Sequence, residues 1–459
     1  MSDDAPAVGV VTGRGRRPGA REAILDAIRA AETLSRVELS AMTGLTEASV
    51  STTVRRLLDE GLVVETGRTP TGGKPRTMLR LDPAARIAVG VHLDDDVTTY
   101  VLTGQTGGII SRMNRPTPVG ADRDAVLRRL VADIGRLVDG SGIDRARCLG
   151  VGLVWSGPRA RPPAPPGESR LPAPPGGSPP PASPDDLRRA VSSDESRGVV
   201  LSDDLRLPAS PGESRPPASP GESLPPGRYG DDLDRRLAEA TGWPVLLEND
   251  ATAAAVGEYW VARVEATRPF AALYMGSGIG AGIVLDGVAL RGRHANAGEF
   301  GHLCLQIDGP ACWCGSRGCL EALAGPQVVV EAALVDPVAA GEAGLERAAR
   351  RSTVADFAAV ARAARAGAPG CRALLEDSAR YVAAAAESVV NLLDVDLLVL
   401  TGPGFAAASF VYGPAITDRI AAADARTWRR GVSVTVSLAA ATASATGAAA
   451  LVLQSSLRG

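Results

Sequence analysis

The chain has 459 residues, 45% of them hydrophobic, which is enough to bury large cores in two or three domains and too long for a small stapled module. No run of about 18 uninterrupted apolar residues occurs, and the opening MSDDAPAVGVVTGRGRRPGA lacks the apolar segment of a secretion signal, so a cytoplasmic protein with no membrane partner is expected. A formal net charge of -3 excludes a globally basic nucleic-acid binder and leaves that role to a locally basic element.

Residues 1–19 read as a flexible arm, in which Arg14, Arg16 and Arg17 are either extra phosphate contacts or a solvated tail. Residues 20–82 read as three helices and a strand pair. Ile24, Leu25 and Ile28 give the first apolar face, and Val37, Leu39 and Met42 begin the second. Val50, Val54, Leu57 and Leu58 recur at helical spacing in the third. Between the second and third stands Thr43-Gly44-Leu45-Thr46, a glycine turn followed by a threonine suited to cap a helix, as in a helix-turn-helix. Two short strands, 62–65 and 77–81, then flank a basic glycine-rich tip, which reads as a wing.

A second unit, 83–459, opens with the strand from Ala88 to Leu93, the alternating Thr99-Tyr100-Val101-Leu102, a helix at 121–138 and a strand from Leu149 to Trp155, an α/β layered order. Residues 158–228 interrupt it with Pro-rich near-repeats whose composition predicts a disordered insertion; 198–205 is an island of more ordinary composition. Beyond it come a helix at 231–241, strand 245–248, a helix from Asp250, strands at 271–275 and 282–285, helices at 320–364 and 373–393, strand 396–400, strand 432–437 and helix 442–453.

The strongest chemical signal is His302 with Cys312, Cys314 and Cys319, the three thiols falling within eight residues. In a cytosolic chain, three thiolates and an imidazole make a closed tetrahedral set of the structural Zn2+ type, with no open position for a catalytic water. Cys148, Cys304 and Cys371 are scattered and read as buried free thiols.

Ala297-Gly298-Glu299-Phe300-Gly301-His302 together with the cysteine loop resembles the ROK family of bacterial repressors and sugar kinases, over nearly the whole chain outside the insertion. The resemblance implies an actin-like two-lobed α/β domain behind the winged helix-turn-helix, and assembly as a homodimer or homotetramer. It implies that Glu299, His302 and Glu321 contact sugar hydroxyls, with His302 also on the zinc. Ionised carboxylates accept such hydroxyls, and an imidazole bound to metal through one nitrogen keeps the other for ligand. Anchoring of the zinc loop is the alternative role for the two glutamates. Leu247-Glu248-Asn249-Asp250-Ala251 resembles the motif in which the asparagine binds sugar and the aspartate is a kinase's general base, although Asn-Asp before a helix is also a common cap. Gly276-Ser277-Gly278-Ile279-Gly280-Ala281-Gly282 resembles the family's second phosphate loop, and is equally a tight structural turn.

The first phosphate loop departs from the family's kinases. They carry Asp-x-Gly-Gly-Thr where this chain has His92-Leu93-Asp94-Asp95-Asp96. Each carboxylate at about 5 Å from a phosphate charge costs roughly 3 kcal/mol at an effective dielectric near 20. Magnesium could bridge such acids, but the missing glycines still close the approach. The expected function is therefore a sugar-responsive, DNA-binding regulator, a repressor, whose partners are operator DNA and a sugar. The alternative is an ATP-dependent sugar kinase with Asp250 as base, and a third reading is a regulator whose sugar site has decayed, since the resemblance implies that the insertion falls at a sugar-contacting loop, with Asp204 in the place of a relative's asparagine. For DNA, the third helix offers Thr46, Glu47, Ser49, Ser51, Thr52 and Arg55 to the major groove, and the wing offers Arg68, Lys74 and Arg76 to a minor groove. A winged helix used for protein contacts is the alternative.

Overall fold

The computed structural model describes residues 19–69, 75–94, 96–117, 122–155, 232–262, 269–285, 287–293, 295–345, 352–424 and 431–455. The expected Pro-rich insertion, Asp204, the arm with its three arginines, Lys74 and Asp95 lie outside the described residues.

The N-terminal part runs α1 (Ala20–Ala31), β1 (Leu34–Ser35), α2 (Arg36–Thr43), α3 (Glu47–Asp59), β2 (Val63–Thr69) and β3 (Arg76–Leu81). Thr46 caps α3 by accepting the Ser49 amide, and Ser35 with Glu38 forms a reciprocal box at the start of α2. Gly44 turns between α2 and α3 at φ 67°, a conformation that favours glycine. Ile24, Leu25, Ile28, Leu39, Val50, Val54 and Leu57 form one core with Leu79 and Leu81 of the wing. Two expectations for α2 need correcting: Val37 and Met42 are 46% and 56% exposed, because this two-turn helix packs through Leu39 alone. The strand β1, too short to carry a period, adds a third member to the wing sheet by pairing with β3.

The following part contains two sheets of identical order. In the first lobe β4 (Ile87–Leu93), β5 (Val97–Gly104), β6 (Ile109–Pro116), α4 (Arg123–Asp139), β7 (Cys148–Trp155), α5 (Leu233–Thr241) and β8 (Val245–Asn249) give the strand order β6-β5-β4-β7-β8. The second opens with α6 (Asp250–Ala262), β9 (Phe270–Met275), β10 (Ile279–Leu285) and β11 (Val288–Ala289). It continues through α7 (Leu320–Ala324), α8 (Pro326–Val335), α9 (Pro337–Ala343), α10 (Thr353–Arg365), α11 (Pro369–Leu393), β12 (Leu397–Thr401), α12 (Pro403–Asp424), β13 (Ser433–Val436) and α13 (Ala443–Ser455). Its order is β11-β10-β9-β12-β13, again an antiparallel three-strand meander extended by two parallel strands. This duplication is the actin-like, two-lobed architecture.

Sequence periodicity misses β6, a partly exposed edge strand rich in polar residues, and α12, whose Pro403, Gly404 and internal Pro414 read as breakers. The helical run expected at 320–364 is four helices, broken where Pro326 and Pro337 each start a new one.

Glycine and alanine hold the layers at close range. A Cβ on Gly90 would lie 1.7 Å from the Ala445 carbonyl oxygen and one on Gly152 2.1 Å from that of Ala448, so α13 lies directly on the first sheet. A Cβ on Gly447 would lie 1.7 Å from the Ala253 carbonyl oxygen, and one on Gly282 2.3 Å from that of Ala251. Thus α13 crosses α6, and α6 lies on the second sheet. Side chains larger than these would force the layers apart.

The winged helix belongs to the same compact unit and is tied to the first lobe and α6. The Arg29 guanidinium sits 4.0 Å from the centroid of the Trp260 ring and its Nε donates to the Gln105 carbonyl at 2.9 Å. Gln105, buried beside β5, donates through Nε2 to the Leu62 and Asp82 carbonyls at 2.8 and 2.6 Å. Among the described residues no single helix is long and apolar enough to cross a membrane.

Candidate functional site

His302 follows from a backbone device. Gly298 adopts φ 91° and approaches so near β10 that a Cβ there would lie 1.9 Å from the Ala281 carbonyl oxygen. The chain then turns through a short 3-10 segment, Phe300–His302, which sets Glu299 and His302 together, Nε2 to Oε2 at 3.8 Å. The other imidazole nitrogen, Nδ1, faces the thiols, 3.6 Å from Cys312 Sγ.

The ligand atoms of His302, Cys312, Cys314 and Cys319 all lie within 4.8 Å of one another, a group able to hold a metal ion. A tetrahedron with metal–sulfur bonds of about 2.3 Å has sulfur–sulfur edges near 3.8 Å; Cys314 and Cys319 place their sulfurs 3.7 Å apart. Gly318, at φ 63°, allows the loop to fold back against Gln306, where a Cβ would clash at 1.6 Å. The donor set and its spacing fit zinc. Cys304, expected to be buried, is exposed and meets Cys319 through the backbone; Cys148 and Cys371 are buried thiols as expected.

Glu321 lies at the start of α7. Its Oε2 accepts the Ile279 amide at 3.0 Å and its Oε1 accepts the Trp313 indole N–H at 2.6 Å. Asn249 ends β8, its Oδ1 accepting the Ala251 and Thr252 amides at 3.0 Å each, so it does cap α6. That capping leaves its amide nitrogen available for another role, as the geometry of Asn permits. Asp250 begins α6, and its Oδ1 accepts the Ala251 amide at 2.8 Å. The glycine segment is a tight turn at 276–278, closed by the Gly276 amide on the Gly278 carbonyl, and its second half is β10.

Sequence reasoning misses an ion pair beside these residues. Glu248 is buried, takes Arg291 Nε at 2.7 Å and accepts the Asn249 amide at 3.0 Å. Arg291 in turn accepts the Ala297 amide through its carbonyl. The pair therefore links the Asn249–Asp250 step to the segment bearing Glu299 and His302. Glu248 is the buried member of the pair and Arg291 is 37% exposed, so removing Arg291 would strand a buried carboxylate.

The departures at the first phosphate loop extend beyond its carboxylates. His92 is buried, 6.3 Å centroid to centroid from Tyr274 and edge-on to it. Burial holds its pKa below the ordinary imidazole value, with the Asp250 charge opposing that shift. The Tyr274 ring packs so closely on Gly276 and Gly402 that a Cβ on either would fall within 3.0 Å of it. Asp96 hydrogen-bonds Ser352, the N-cap of α10, across from the first lobe to the second.

On the winged helix, Thr46, Glu47, Thr52 and Arg55 of the α3 region are exposed, whereas Ser49 and Ser51 are half-buried. In the wing Arg68 pairs with Thr77, and the exposed Arg76 pairs with Thr69, so both arginines stand at adjacent positions of the hairpin near its tip.

Residues 226–455 match the ROK family model, and residues 20–64 match a winged helix-turn-helix DNA-binding model. A stretch of 92 residues, 20% of the chain, is 46% identical to a glucokinase from Thermotoga maritima and spans 29% of it. Over 308 residues, 67% of the chain, it is 24% identical to a putative xylose repressor from Caldicellulosiruptor sp., spanning 64% of that protein. Among solved structures, a ROK family transcriptional regulator, a homolog of the E. coli MLC protein, superposes with TM-score 0.63 at 20% identity, covering 95% of this chain and 98% of its own. At that identity the superposition establishes the shared fold, winged helix included.

Proposed function

The chain belongs to the ROK family, and on that premise we propose that it is a sugar-responsive, DNA-binding transcriptional regulator, a repressor, acting as a homodimer or homotetramer without kinase turnover. The boundaries that go with this reading are an arm at 1–19, a DNA-binding domain at 20–82 and a sensing domain at 83–459 with an insertion at 158–228. His302, Cys312, Cys314 and Cys319 hold a structural zinc, which supplies a rigid, closed anchor for the loop and no reactive position. Asn249, Asp250, Glu299, His302 and Glu321 bind the sugar. Thr46, Thr52 and Arg55, with Ser49 and Ser51 at the same helix, meet operator DNA in the major groove, and Arg68, Lys74 and Arg76 reach its minor groove or phosphates.

The observation that carries the proposal is α6. Its first residue, Asp250, stands at the sugar-site motif, and near its other end Trp260 is gripped by Arg29 of the winged helix. A ligand changes DNA affinity only through unequal binding to two conformations, and a helix spanning ligand site and DNA-binding domain is an element both can bias. The kinase alternative draws on Asp250 and on the glucokinase likeness, and is opposed by the His92–Tyr274 contact, Asp96 and the missing glycines.

A thermal-shift screen of the zinc-loaded protein against monosaccharides, amino sugars, sugar phosphates and ATP tests this reading. A ligand at 100 times its Kd adds about 2.7 kcal/mol to the native state. A sugar is expected to raise Tm and ATP to leave it unchanged; stabilisation by ATP, with turnover lost in Asp250→Asn, would establish the kinase instead. Arg55→Ala is expected to weaken operator binding while leaving sugar binding intact.

A further inference from the structure

The sugar-site reading leaves one neighbour without a role. Trp313 lies between two of the cysteines, yet it is half-buried and turned toward the candidate ligand residues rather than into a core. Its ring stands edge-on to His302 with centroids 4.8 Å apart, and its indole N–H donates to Glu321 Oε1 at 2.6 Å. Glu321 is thereby held from two sides, by Trp313 and by the Ile279 amide. Each carboxylate oxygen has a second lone pair, so a carboxylate fixed in this way still accepts hydroxyls. Indole is a rigid apolar surface with a polar edge, the pairing that suits a ligand with alternating C–H faces and hydroxyls. Three of the proposed ligand residues, Asp250, Glu299 and Glu321, are acids, and the Arg291 guanidinium beside them is paired with Glu248. An anionic sugar would meet repulsion from each of the three acids.

We infer that Trp313 is a specificity-determining residue of the ligand site, which takes a neutral, unphosphorylated pyranose stacked on the indole with its hydroxyls on a Glu321 that the indole N–H holds in place. The inference rests on the sugar-site reading above and deepens it by naming the ligand class. In it Trp313 has two separable functions. Its N–H positions Glu321, and its face makes contact with the ring of the sugar.

Isothermal titration of the zinc-loaded full chain with neutral hexoses and pentoses, and with their phosphates, tests this in wild type, Trp313→Phe, Trp313→Ala and Glu321→Gln. Trp313→Phe keeps a ring and loses the donor; a hydrogen bond to a charged group is worth about 1.5 kcal/mol or more, so affinity is expected to fall about tenfold. Trp313→Ala removes the face as well and is expected to lose about a hundredfold, each variant keeping the zinc content of wild type. Neutral sugars are expected to bind and the matching sugar phosphates not to. Wild-type affinity in Trp313→Phe and Trp313→Ala, with binding lost in Glu321→Gln, would overturn the role of Trp313 and leave the sugar site standing. A preference for sugar phosphates would overturn the ligand class, and no saccharide binding to wild type would overturn both readings.

Discussion

Replacing Arg29 by alanine tests how the DNA-binding part is held to the rest of the chain. The guanidinium lies 4.0 Å from the Trp260 centroid, and its side chain is 11% exposed, so its attraction to the ring is largely desolvated and worth about 2 kcal/mol. Its Nε bond to the Gln105 carbonyl is charge-assisted and adds about 1.5 kcal/mol. The Asp26 carboxylate that also pairs with Arg29 is 47% exposed and re-solvates readily, so its loss contributes little. A weakening of about 3 kcal/mol shifts the ratio of docked to undocked winged helix by roughly a hundredfold. The core of the winged helix keeps its apolar members, since Arg29 does not belong to the cluster that holds Ile24, Leu25 and Ile28. Amide hydrogen exchange reads this directly: the Gln105 amide, bonded to the Arg86 carbonyl, and the Asp82 amide, bonded to that of Leu62, should exchange roughly a hundredfold faster. Arg21→Ala, which removes an exposed pair with Glu60, is the control and should leave both rates within about threefold. Unchanged exchange in Arg29→Ala would refute the assignment of this contact as the joint, and with it the route from Asp250 through α6.

The zinc site gives a second expectation: Cys319→Ser, or chelation of the wild type, should abolish metal content and lower Tm, because metal binding is coupled to the folding of the loop that carries its ligands. A chelated protein with unchanged Tm would contradict a structural role for the metal. Glu258 gives a third. It is buried on α6, burial pushes its carboxyl above the ordinary 4.5, and the Ser437 and Thr401 hydroxyls that it accepts offset part of that shift. A carboxyl with a raised folded-state pKa contributes stability that is complete below the unfolded value and is lost as pH rises through the folded one. Glu258→Gln should therefore be more stable than wild type above that raised pKa and differ little below about pH 4. Denaturant unfolding across the acid-to-neutral range measures the difference, and parallel profiles for the two proteins would show that Glu258 does not titrate in this way.

The helix-turn-helix of the DNA-binding part was legible in the residues, apart from the exposed Val37 and Met42: Thr46 as cap, Gly44 as turn, and Val50, Val54 and Leu57 as a buried stripe are consequences of short-range geometry. The His302 and cysteine set was likewise readable, since the thiol spacing limits what so short a loop can do. Tertiary structure decided the rest. The equal order of the two sheets, and the crossing of α13 on α6 at Gly447, join residues too far apart in sequence for any period to reveal. Nothing in the sequence singles out Glu248, which meets Arg291, or Trp313, whose N–H meets Glu321. Sequence determines which side chains can form a helix, a cap or a metal ligand set, because those depend on near neighbours; which carboxylate meets which cation or indole depends on the packing of distant segments, and is settled when the chain folds.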